Sequence, residues 1–248
     1  MASVEAQEKK QHSVRFIPVG SLSGAVWVEK NPGKVVPKHI DPDKEGKVPD
    51  DEKEYILVHS DIQALPPKSL SVRGVDGKIK QVPLALNMPS DDIAVRAGQV
   101  ATYRKALEND RLVAKEFFRL ELAGESGLYS AFLGRNKLNR SWNMPRVVLL
   151  SDKKDDFPDG AVRLVNVSQE PISYKVGSEE DKEIAPGSMI VLKPGEFDGV
   201  LSVYYQEGKR KKYVMRSKVS IQAPARRNIV IANAFTARAK VKVITVNH

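Results

Sequence analysis

The chain has 248 residues, of which 41% are hydrophobic, 29% charged and none cysteine. That content supports a folded core and argues against wholesale disorder, while zero Cys excludes disulfides, thiolate metal sites and cysteine nucleophiles. The formal net charge of +9 points first to a polyanionic partner, and no apolar run reaches the roughly 18 residues of a membrane helix.

Residues 1–12 are polar and read as a disordered lead. Within them Val4-Glu5-Ala6 before Gln7 has the small −3 and −1 residues of a signal-peptidase site, without a basic and apolar stretch ahead of it. The expectation is an exported protein whose export signal is not in this sequence.

Short runs rich in Val, Ile, Tyr and Phe then follow one another, many alternating with polar residues and bounded by Gly, Pro and Asp. The first half gives strands over 13–19, 25–29, 55–59, 69–73, 78–84, 100–104 and 117–122. The second gives 146–150, 161–167, 172–176, 189–193, 200–206, 213–221, 228–232 and 241–246. Asp76-Gly77 is a type I′ hairpin signal, and Pro186-Gly187, Pro194-Gly195 and Asp198-Gly199 mark further turns. Only 106–118 competes as a helix, with poor apolar spacing. Trp27 alternates like a core residue, and Trp142, in a polar linker, suits an interdomain or partner contact.

Between the second and third runs lies Asp41-Pro42-Asp43-Lys44-Glu45-Gly46, continuing to Glu52. Asp41, Asp43, Gly46 and Glu52 match the calcium-loop template, with Glu45 at its fifth position. Glu45 is longer than the usual ligand, Pro42 is foreign to the motif, and a strand follows where a helix is usual. The competing reading is a solvated charged loop over 30–53, and no other cofactor is indicated.

Strands at such intervals indicate sandwiches. Val14-Arg15-Phe16-Ile17-Pro18-Val19 aligns with Val162-Arg163-Leu164-Val165-Asn166-Val167 at an offset of 148, and at that offset 25–28 meets 173–176. The expected architecture is all-β: two tandem, mainly antiparallel, immunoglobulin-like β-sandwich domains over 13–140 and 141–248.

The second half carries Phe157-Pro158-Asp159-Gly160, a strand ending Asn166-Val167-Ser168, the run Pro171-Ile172-Ser173-Tyr174-Lys175-Val176-Gly177, and Ile184-Ala185-Pro186-Gly187-Ser188. This order, over about 145–235, resembles β-sandwich modules of bacterial envelope proteins. It is similar in outline to immunoglobulin-like proteins associated with type IV pilus-like surface systems. The resemblance implies a sandwich fold and a bacterial envelope setting, and carries no activity.

The charge is concentrated at the end of the chain. Of 40 basic residues eleven lie in 209–248, which has no acid, leaving 29 basic against 31 acidic residues and a net −2 for the rest. In strand geometry Lys212, Arg216 and Lys218 share one face, as do Arg238, Lys240 and Lys242. If both strands lay in one sheet, the six would form a cationic stripe for an acidic glycan, an anionic surface or a protein partner. The alternative is ordinary solvent-facing strand positions, with Lys discouraging edge aggregation. Few aromatics interleave, which disfavours specific nucleic-acid binding.

Catalysis is disfavoured. His12 and His248 fall in tails, His39 in the charged loop, and His59-Ser60-Asp61 puts neighbouring strand residues on opposite faces. No HExxH, GxSxG, P-loop or GxGxxG pattern is present. The expected function is a non-catalytic structural or protein-interaction component of a bacterial envelope, periplasmic or at the cell surface, acting through protein partners or self-assembly. A carbohydrate- or polyanion-binding module is the alternative, and a small hydrolase comes last.

Overall fold

The computed structural model describes residues 11–21, 25–29, 55–59, 65–109, 111–123, 126–136, 141–195, 199–218, 225–234 and 239–247. For 25–29 and 55–59 it describes the backbone alone, and residue 107 likewise. The regular structure of the described residues is all strand. The N-terminal half comprises β1 (Gln11–Val19), β2 (Ala25–Glu29), β3 (Tyr55–His59), β4 (Ser69–Arg73), β5 (Ile79–Pro83), β6 (Ile93–Arg96), β7 (Gly98–Glu108), β8 (Arg111–Leu122), β9 (Leu128–Gly134) and β10 (Arg146–Ser151). The C-terminal half comprises β11 (Val162–Asn166), β12 (Ile172–Val176), β13 (Lys182–Ile184), β14 (Met189–Leu192), β15 (Val200–Glu207), β16 (Arg210–Lys218), β17 (Arg227–Asn233) and β18 (Val241–Asn247).

Four four-stranded sheets result, ordered β5-β4-β7-β8, β10-β9-β1-β6, β14-β11-β17-β18 and β13-β12-β15-β16, with β2-β3 as a separate ribbon. The pairings among these strands are antiparallel except β1 with β9 and β11 with β17. Set β2 and β3 aside, and the remaining strands repeat: β1 and β4–β10 correspond in order, partner and direction to β11–β18. The match extends to detail. Ser71 pairs with Tyr103 as Ser173 pairs with Tyr204, and a β-bulge occurs at both tyrosines.

The offset of 148 thus aligns true equivalents, β1 and β11. It fails for 25–28, because β2 and β3 are inserted between β1 and β4, and the counterpart of β12 is β4. The segment 106–118 is hairpin and not helix: β7 and β8 pair from Gly98↔Leu122 to Glu108↔Arg111, and Asn109 turns the chain with φ 49°. Asp76-Gly77 also does not form the expected type I′ turn. Only Gly77 of the two has positive φ, and Gly77 N–H donates to Gly74 O, so a turn over 74–77 ends on a left-handed glycine. The division at 140/141 moves as well, since β10 pairs with β9 in the N-terminal sheet.

Three apolar interfaces hold the stack. Val14, Phe16, Ala131 and Leu133 face Leu70, Val72, Val100 and Leu120 within the N-terminal sandwich. Leu164, Ile229 and Ile231 face Tyr174, Val203 and Tyr205 within the C-terminal one. The third joins the halves. Ile17, Val19, Phe132, Val148 and Leu150 pack on Val165, Val167, Val230, Ile244 and Val246. The two inner sheets are therefore covered on both faces, and β11 is buried at all five positions.

Candidate functional site

The single-sheet cationic stripe expected of the basic end does not form. β16 is the edge of the β13-β12-β15-β16 sheet, and β18 is the edge of the β14-β11-β17-β18 sheet. A bulge also breaks the alternation within β16. Val203 pairs with Met215 but Tyr204 pairs with Tyr213, so Val214 is the extra residue. Arg216 and Lys218, opposite Ser202 and Val200, stay on the outer face, while Lys212, opposite Tyr205, falls on the core-facing side. Tyr213 moves outward to the Tyr204 ring, 5.3 Å away.

Several of these cations are already paired. Lys212 Nζ lies 3.1 Å from Glu207 and Lys240 Nζ 3.7 Å from Glu170. Lys211 pairs with Asp181 and stands 4.7 Å over the Tyr204 ring. The Lys211 ammonium, and then the Tyr204 hydroxyl, hold the Asp181 carboxyl below its ordinary range. Burial, with the Asp181 charge behind it, pushes the Tyr204 phenol up. Lys242 is exposed beside Ala232 in the ladder. Arg238 lies outside the described residues, as do Asp41, Asp43, Glu45 and Glu52 of the calcium-loop motif. Among the described residues no group of three or more His, Asp or Glu side chains could hold a metal ion. No described helix is long and apolar enough to cross a membrane.

The most developed polar cluster lies between the halves. Arg163, on the face of β11 turned to the N-terminal inner sheet, donates from Nη1 to Asp152 Oδ1 at 3.0 Å and from Nη2 to Ser151 O at 2.6 Å. Its guanidinium sits 3.8 Å over the Phe157 ring. Ser130 on β9 donates to the other Asp152 oxygen at 2.5 Å. Arg226 donates to Asp152 O at 2.7 Å and Phe157 O at 3.2 Å. Burial lowers the Arg163 pKa, and the Asp152 charge works against it. Both Asp152 carboxylate oxygens are engaged, so the group fastens the end of β10 to β11. No family model and no curated protein matches the chain.

Sequence reasoning misses this cluster, because Val-Arg-Leu-Val reads as a strand with Arg toward water. The available signal is the repeat itself, which puts Arg15 and Arg163 at one position. Arg15 is likewise paired, to Asp92 at 3.1 Å. Trp142, expected at an interdomain or partner contact, is instead buried in the N-terminal core. The Trp27 side chain and the residues Ser60 and Asp61 lie outside the described set.

Proposed function

We propose that the protein is a non-catalytic structural or protein-interaction component of a bacterial envelope or surface assembly, exported and built from two immunoglobulin-like units. The observation that carries this reading is the pair of long strands ending the outer sheets. β8 has twelve residues and β16 nine, and each is an edge strand. An edge strand has unpaired backbone groups that can add a partner's strand. At the tip of the β7–β8 hairpin Leu112 is 72% exposed, an apolar contact at the end of an open edge. Sedimentation velocity over rising protein concentration tests the self-assembly arm. Reversible growth that Leu112→Lys reduces supports it, and a strict monomer at every concentration counts against it.

A second reading, an acidic-glycan or anionic-surface binder, is favoured by Arg216 and Lys218 on the outer face. Neither has an ion pair among the described residues. Heparin retention lost in Arg216→Ser with Lys218→Ser would support it, and no retention at low salt would end it.

A further inference from the structure

We propose that the open end of the N-terminal sandwich carries a pocket for an oxyanion, a phosphate or carboxylate group of a small ligand. The pocket has a volume of about 560 Å³. Three segments distant in sequence form it: Pro66-Pro67-Lys68 leading into β4, Arg104-Lys105 on β7, and Trp142 ahead of β10.

Its charge is uncompensated. Lys68, Arg104 and Lys105 line it, and no carboxylate does among the described residues. None of the three cations has an ion pair among the described residues. Several other basic side chains sit beside acids, as Lys212 does with Glu207 and Lys240 with Glu170. Even Lys115, directly opposite Arg104 in the ladder, is neutralised by Glu108 at 2.7 Å. Like charges gathered in a concave wall raise the local potential and concentrate anions there.

A second observation is independent of the charge count. Arg104 Nε is buried and has no hydrogen-bond partner among the described residues. A buried guanidinium N–H without an acceptor is costly, and an anion drawn to the part of Arg104 that lines the pocket would offset that cost through the shared guanidinium charge. The guanidinium lies 5.7 Å from the Phe117 ring centroid, a cation–π contact that restrains it. The walls are stiff, since both prolines fix φ and Trp142 is only 4% exposed. A preformed site of this kind needs little ordering on binding.

The test uses the full chain labelled with ¹⁵N. The indole N–H of Trp142, assigned with Trp27→Phe, reports on the pocket directly. Inorganic phosphate and acetate are titrated separately, with ionic strength held constant by sodium chloride. A saturable shift of the Trp142 signal with phosphate identifies a phosphate site, and one with acetate alone identifies a carboxylate site. Arg104→Gln should weaken that binding about tenfold, the effect of one charge-assisted hydrogen bond. Lys105→Gln, at an exposed position, should weaken it several-fold without changing the melting temperature. Lys242→Gln, in the C-terminal half, should leave it unchanged. The proposal is overturned if neither anion gives a saturable shift. It is equally overturned if folded Lys105→Gln and Arg104→Gln, or Lys105→Gln alone should Arg104→Gln not fold, bind as tightly as the unsubstituted protein.

Discussion

Arg163 and Asp152 meet at 3.0 Å, with neither side chain reached by solvent. Asp152 follows β10 of the N-terminal half and Arg163 lies in β11 of the C-terminal half, so this pair ties the halves together. Truncating one partner strands a charge in the interior, which costs about 3–5 kcal/mol. Asp152→Ala should therefore lower the denaturant midpoint strongly. The double variant Asp152→Leu with Arg163→Met should lose less than the sum of the losses in Asp152→Leu alone and Arg163→Met alone. Strict additivity across that double-mutant cycle would show that the pair is not coupled.

Gly134 makes a close backbone approach across the same seam. A Cβ added there would stand 2.7 Å from Val167 O and 3.0 Å from Val167 Cβ. Neither neighbour is the free end of a flexible chain, so Gly134→Ala must push β9 away from the C-terminal half. A loss of about 1–3 kcal/mol is expected from such overpacking, measured by urea unfolding. Gly77→Ala, where nothing lies within 4 Å of the added carbon, isolates the backbone contribution of a positive φ.

Asn109 turns the β7–β8 hairpin with φ 49°, a conformation that Asn and Gly tolerate and β-branched residues resist. Asn109→Gly should leave thermal stability nearly unchanged. Asn109→Val should cost about 1–2 kcal/mol and broaden the amide resonances of the hairpin tip. Equal melting temperatures for the two variants would contradict the turn geometry.

The Asp181 carboxyl titrates below its reference value of 3.8 because of Lys211 and Tyr204. A depressed folded-state pKa contributes stability above the unfolded pKa, and that contribution is lost as pH falls through the folded value. In Lys211→Gln the Asp181 midpoint, followed by carboxyl carbon NMR, should rise toward 3.8. The acid limb of the stability curve should become less steep near that pH. Stability at pH 7 should change little, since the pair is exposed.

Much of the fold is legible in the sequence because many strands carry alternation bounded by turn residues. The ranges 69–73 and 172–176 coincide with β4 and β12. The strands that are not legible have identifiable reasons. β9, Leu128-Tyr-Ser-Ala-Phe-Leu-Gly134, is central and buried along most of its length, so it has no polar alternation. Its Ser, Ala and Gly also blur a strand signal. Without β9 the parallel pairing to β1 cannot be foreseen. β6 and β13 are short, at four and three residues. The cationic stripe fails partly on one residue, Val214, whose bulge reverses the facing of every position before it in β16. Among the proposed pocket residues, Arg104, Lys68 and Trp142 lie far apart in sequence and only the closed sandwich gathers them.

The apolar seam between the halves has a symmetry of its own. Ile17 corresponds to Val165, Val19 to Val167, Phe132 to Val230, Val148 to Ile244 and Leu150 to Val246, by the registers of the two repeats. Each repeat thus meets the other through its own copy of one face. Equivalent faces brought together in one chain are the pairing that a two-fold homodimer makes between two. Two chains that exchanged halves would keep the same seam. The link between Ser151 and Val162, bearing Asp152 and Phe157, then decides whether the assembly closes within a molecule or between two.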